Sequence, residues 1–213
     1  MDRRRFVRTT GFGVAGLAAG CAGTTVQNNQ PKDAGSPPAD AGQNLVDSGT
    51  GPVDTGRSGC SATSADIEGP YYRAGVPVRA NLNLYGDTGD PLTLEGRVTD
   101  DACRPIANAV VEIWHANPSG AYDTNSQDKR YYGQVATDAA GAYAFQTLMP
   151  GRYLNGPTYR PAHIHMKVFV GTTERLTTQI YFDGDPFSAS DPFFAAQRSV
   201  PVEDGTAIFP VTV

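Results

Sequence analysis

The chain has 213 residues, 39% hydrophobic and 18% charged, with 24 Gly, 16 Pro and a formal net charge of −5. That length builds one globular domain of ordinary size and excludes two large ones, while so much glycine and proline argues against long helices. Four of the 17 basic residues but only one of the 22 acidic residues fall in the first twenty positions, so the rest nets −8. An acidic body without a basic stripe argues against nucleic acid as a partner.

Residues 1–20 read as an address. Arginines at positions 3, 4, 5 and 8 precede a run of small apolar residues from Gly11 to Ala19, too short to span a bilayer and suited to a cleaved signal. Arg3-Arg4-Arg5-Phe6-Val7 resembles the twin-arginine export motif. Leu17-Ala18-Ala19-Gly20-Cys21 resembles a lipoprotein box, which implies a lipid on Cys21 and an exported, membrane-anchored protein facing the periplasm or the cell exterior. An ordinary signal peptide that contains a cysteine is the other reading. Residues 21–59 read as a disordered tether, because Gly, Pro, Ser, Thr and Asp cannot offset the entropy of ordering. Asp33, Asp40, Asp47 and Asp54 recur there every seven residues, each followed by a small residue and Gly, without the apolar seam of a coiled coil. Calcium binding by these Asp-x-Gly units is the alternative.

Cys60 and Cys103 remain. In an exported chain they suggest a disulfide, worth roughly 3–4 kcal/mol by chain entropy, with two buried thiols as the alternative. Residues 60–213 read as all-β, an antiparallel sandwich of about seven or more strands. Strands are expected over Leu92 to Thr99, Ala109 to His115, Tyr132 to Thr137, Ala142 to Gln146, Ala162 to Val170, Leu176 to Phe182 and Ala207 to Val213. Turn chemistry separates them, as in Asn117-Pro118-Ser119-Gly120 and Asp138-Ala139-Ala140-Gly141. One or two helical turns are expected near Pro192 to Arg198.

The Ala162 to Val170 strand locates the chemistry. Side chains alternate, so Ile164, Met166, Val168 and Val170 form a core face, and His163, His165, Lys167 and Phe169 occupy the other. Two imidazoles two residues apart suit one metal ion, though a solvated polar face has the same pattern. With only three histidines, His115 either completes a three-histidine zinc site of the hydrolytic kind or leaves phenolates as the remaining hard ligands. Ten tyrosines make the second option real, and Fe(III) is an ion that stabilises a phenolate well. The residues by themselves reach a His-His-Tyr metal site.

Four segments carry a resemblance. Val111 to Tyr122 (VEIWHANPSGAY), Met149-Pro150-Gly151-Arg152-Tyr153, Arg160-Pro161-Ala162-His163-Ile164-His165 and Leu176 to Phe182 (LTTQIYF) resemble the intradiol ring-cleavage dioxygenases, in the expected order, as does Glu68-Gly69-Pro70-Tyr71-Tyr72. The likeness is to the catechol and protocatechuate 3,4-dioxygenase β-subunit type, in a short exported form. It implies Fe(III) as cofactor, Tyr122, Tyr153, His163 and His165 as ligands with a hydroxide, and Tyr153 leaving when a catecholic substrate binds. It further implies a proton acceptor in Tyr153, an electrostatic role for Arg160 beside Gln179, and a muconate-type product of reaction with O2. Tyr72 and Asn155 are the expected substrate contacts, Asn155 standing where some relatives have a bulky aromatic. A homo-oligomer fits this family. The rival is a non-catalytic transthyretin-like sandwich module on a membrane tether, which shares the strand pattern and lacks a reason to keep the ligand set.

Overall fold

The computed structural model describes residues 59–213. The leader, Cys21 and the tether up to residue 58 lie outside the described residues. Eleven strands form: β1 (Pro91–Thr99), β2 (Val110–His115), β3 (Tyr132–Ala136), β4 (Ala142–Leu148), β5 (Tyr153–Asn155), β6 (Thr158–Arg160), β7 (His163–Val170), β8 (Thr173–Phe182), β9 (Ser199–Val200), β10 (Thr206–Ile208) and β11 (Val211–Thr212). Alternation builds the core. Leu92, Leu94, Tyr143, Phe145 and Phe209 from one layer meet Val111, Ile113, Ile164, Met166, Val168 and Ile180 from the other in one buried cluster.

The first layer has four strands, with β4 antiparallel to β1 and with β10 and β11 parallel to successive stretches of β1. The second has five, in the order β3-β2-β7-β8-β9, antiparallel except for the short β8–β9 pair. The sandwich is therefore mainly antiparallel, with three short parallel additions from the C-terminal third. The strand expected over Ala207 to Val213 is interrupted at Phe209-Pro210, where proline has no N–H for the ladder. Phe209 uses its own N–H on Glu95 and its carbonyl on the Tyr143 hydroxyl.

β5 and β6 pair only with each other, as a hairpin outside both layers. Of the helical turns expected near Pro192 to Arg198, one three-residue 3₁₀ turn forms, Ala196–Arg198; another, Ser188–Ser190, lies before that stretch. Cys60 and Cys103 are joined, with Cα atoms 5.1 Å apart, and the Cys60 N–H donates to the Asp101 carbonyl. From this anchor the chain runs as a strap. Thr63 bonds Thr212, Asp66 N–H donates to the Thr177 carbonyl, and Arg198 holds the Asp66 carboxylate at 2.7 Å. The strap crosses the outer face of the five-stranded layer, the face turned away from the core.

Candidate metal centre

That outer face is polar and yet buried. Register sets Trp114 of β2 opposite His165 of β7, and His165 opposite Gln179 of β8; His163 stands opposite Tyr181. His163, His165, Lys167, Gln179 and Tyr181 are all buried. The strap, the loop before β3, the hairpin and the loop after β8 cover them. The solvated-face reading of His163 and His165 is thereby excluded, because sheet alternation placed them outward and the loops sealed them in.

Two loops deliver the tyrosines. Asn117 organises the first: its Oδ1 accepts from the Ser119 and Ala121 N–H groups, and its carbonyl accepts from Gly151 N–H. Gly120 takes a positive φ of 85°, open to glycine at little cost. A Cβ on Gly151 would collide with the Pro118 carbonyl and the Gly120 nitrogen. The turn carrying Tyr122 and the Pro-Gly turn carrying Tyr153 are thus interlocked through their backbones.

The donor atoms converge. The Tyr122 hydroxyl lies 3.3 Å from His163 Nε2 and 3.1 Å from His165 Nε2. The Tyr153 ring stands edge-on to Tyr122, with centroids 5.5 Å apart. His163 Nδ1 is 2.7 Å from the Pro161 carbonyl, a contact that assigns the proton to Nδ1 and leaves the Nε2 lone pair facing the cluster. His165 is oriented differently: the Trp114 indole stacks on it at 4.9 Å, and the backbone at Gly69 passes so close that a Cβ there would sit 3.1 Å from its Cε1. Its Nδ1 and the Trp114 Nε1 are buried without partners.

Burial and then the Arg160 charge push His163 down to about 3, and burial drives His165 well below the usual histidine range. Both rings are neutral at pH 7, the form that binds a metal. Burial raises the Tyr122 phenol well above its ordinary value and raises Tyr153 as well. A cation is what would bring these phenols to the anionic state. Two neutral imidazoles and two phenols on one buried point fit a hard trivalent ion, so the residues fit the ferric site that the resemblance implies.

Arg160, opposite Tyr153 in the hairpin, borders this point. Its Nη1 reaches the Tyr153 hydroxyl at 3.3 Å and His163 Nε2 at 3.2 Å. Its other edge is fully engaged: Nε and Nη2 each donate to Asp191 Oδ2 at 3.0 Å, and Nη2 also donates to Gln179 Oε1 at 2.8 Å and to the Tyr181 hydroxyl at 3.0 Å. Gln179 donates in turn to the Ile67 carbonyl.

Two expected substrate contacts, Tyr72 and Asn155, do not join the cluster. Tyr72 turns away from the cluster: its hydroxyl donates to Glu112, its ring packs on Trp114, and Lys167 Nζ lies 4.4 Å from its centroid. Tyr71 takes the inward place, stacked on Tyr122 at 4.2 Å, since neighbouring residues of an extended strap face opposite ways. Asn155 is exposed on the hairpin, at its rim. His115 points into the sandwich, with Nδ1 on the Ala116 carbonyl and Nε2 on Thr147, so it cannot join the other two histidines in a zinc site. Among the described residues no three His, Cys, Asp or Glu side chains converge.

The Dioxygenase_C family, described as a dioxygenase, matches residues 67–207. The chain belongs to the intradiol dioxygenase family. Family relatives include catechol 1,2-dioxygenase 2 of Acinetobacter lwoffii, 37% identical over 155 residues, with 63% of this chain and 56% of that protein covered. The protocatechuate 3,4-dioxygenase beta chain of Burkholderia cepacia is 41% identical over 118 residues, half of each chain. Among solved family structures, the dioxygenase domain of a dioxygenase–carbohydrate-binding protein fusion from Streptomyces sp. SirexAA-E superposes with a TM-score of 0.66 at 32% identity, covering 72% of this chain and 98% of that one. The chain spans little more than half the length of the A. lwoffii relative. The match contains all four candidate ligands as well as Arg160 and Gln179.

Proposed function

We propose that the protein cleaves a catecholic ring between its hydroxyl-bearing carbons, using Fe(III) and O2, to give a muconate-type product. The convergence of His163 Nε2 and His165 Nε2 on the Tyr122 hydroxyl, at 3.3 and 3.1 Å, with Tyr153 beside them, carries this reading. These four side chains would hold the iron. Bound ferric iron would draw electron density from a coordinated catecholate and open the ring to O2.

The two tyrosines are suited to different tasks. Tyr122 is stacked under Tyr71 and bonded to both histidines, so it stays. Tyr153 rides on the free-standing hairpin, half-buried, with one long hydrogen bond from Arg160. It can swing aside and carry a catechol proton away on its phenolic oxygen. Arg160 Nη1 then points at the space Tyr153 leaves, where it stabilises negative charge developing on the ring. Gln179, Tyr181 and Asp191 hold the guanidinium in that pose. Tyr71 and the strap keep water from the cluster.

The test is a visible spectrum of the iron-loaded protein without oxygen, before and after catechol, followed by oxygen uptake. Phenolate-to-iron charge transfer should colour the protein, catechol should shift the band, and oxygen should be consumed with appearance of a ring-opened dicarboxylate. A protein that stays colourless and iron-free after reconstitution would support the inert transthyretin-like module instead. We further propose that the enzyme is exported and anchored through a lipid on Cys21; a purely cytosolic distribution on cell fractionation would overturn that placement.

A further inference from the structure

We propose that the site takes catechols without an anionic ring substituent, and that Asp191 sets this selectivity by cancelling the charge of Arg160. The inference rests on the catechol-cleaving function proposed above and adds the charge of the substrate. Arg160 is the cation that reaches the ligand cluster, and its Nη1 lies 3.2 Å from His163 Nε2. Its partner Asp191 is wholly buried, with Oδ2 at 3.0 Å from Nη2 and side-chain exposures of 6% and 0% for the pair. The Phe193 N–H fixes the other carboxylate oxygen. That corner is neutral before any substrate arrives.

The other buried cations of the outer face are taken as well. Lys167, two residues along β7 from His165 on the same face, sits between Glu68 at 2.6 Å and Glu174 at 2.7 Å. Arg198 is held by Asp66 at 2.7 Å and Arg152 by Asp185 at 2.8 Å. Glu112 lies opposite Lys167 in register, which leaves carboxylates in excess there. Among the described residues, every buried Lys and Arg, namely Arg160, Lys167 and Arg198, already has an acidic partner. A carboxylate on the substrate ring would be stripped of water with no unpaired buried cation to receive it. An uncharged ring meets Tyr71 and Tyr153 and meets no such cost.

The test compares two diols of nearly equal shape, 3,4-dihydroxybenzamide and 3,4-dihydroxybenzoate, on the iron-loaded full chain, with catechol as reference. The amide should exceed the acid in kcat/KM by at least about tenfold. In Asp191→Asn the Arg160 charge is uncompensated, so the amide-to-acid ratio should narrow by about tenfold even as both rates fall. A general loss of structure lowers both rates and does not move that ratio. An acid handled as well as the amide by the unaltered protein overturns the substrate class, and an unchanged ratio in iron-loaded Asp191→Asn overturns the role of Asp191. Should that variant fail to load iron, Glu174→Gln removes one of the two carboxylates on Lys167 at a side chain 42% exposed; the ratio should narrow in the same direction, and constancy there overturns the charge argument. If catechol and both diols are left uncleaved, the parent function falls and this inference with it.

Discussion

Tyr122 and Tyr153 differ in how they are held, and single substitutions should separate them. Tyr122→Phe removes the oxygen that both histidines face and should abolish most iron uptake. Tyr153→Phe should keep iron while changing its colour, read by metal analysis beside the visible spectrum. Arg160→Gln should leave iron content intact and lower turnover by about 10²–10³-fold, the usual effect of losing one preorganised donor. The histidines also govern acid stability. Burial lowers His115 to about 4, below its unfolded value of 6.5, so between these pH values the unfolded chain binds a proton that the folded chain refuses. Stability therefore falls as pH drops through 6.5, and His115 alone should account for about 2 kcal/mol between pH 7 and pH 5 in urea titrations of the metal-free protein. At this scale the sequence was partly legible. Period two alone put His163 and His165 on one face, whereas Gln179 came from the resemblance and Tyr181 was not singled out. Choosing Tyr71 over Tyr72 needed the strap's direction, and Asp191 lies in an irregular loop where no periodicity marks it.

The β5–β6 hairpin is the element on which the chemistry depends most. It presents Tyr153 and Arg160 from directly opposed positions, so one rigid unit sets their spacing. Its placement rests on the contact of Gly151 with the Asn117–Gly120 turn. Gly151→Ala should cost about 1–3 kcal/mol through overpacking and should reduce iron binding, since it pushes the Tyr122 and Tyr153 turns apart. Thermal melting together with iron analysis checks both parts. Longer strands could be read from their β-branched alternation, to within one to three residues at their ends. The hairpin strands could not: each has three residues and they flank Gly156-Pro157, a sequence that reads as loop. β9, two residues long, went unseen for the same reason, since its pairing comes from β8 and not from its own pattern.

The whole molecule divides its labour between the two sides of one sheet. The inner side of the five-stranded layer packs against β1 and β4, and the outer side holds the polar cluster under loops. Stability and chemistry can thus change semi-independently, a core substitution at Met166 acting on the first and one at His165 on the second. The Cys60–Cys103 bond, spanning 43 residues, should contribute about 4 kcal/mol, measured as the loss in Cys103→Ser by denaturant unfolding. The sandwich was visible in the sequence because strand and turn signals alternate along it; the burial of its polar face was not, because it depends on four separate loops folding back over one sheet.

The same bond decides where a pull would go. Tension arriving along the backbone from before residue 59 meets the Cys60 crosslink first and passes through Cys103 into the turn after β1. The strap from Thr63 to Tyr72, with Gly69 against His165 and Tyr71 on Tyr122, stays slack behind it. Drag on the chain's N-terminal side is diverted into the frame of the sandwich, and the histidine–tyrosine cluster is mechanically insulated from it.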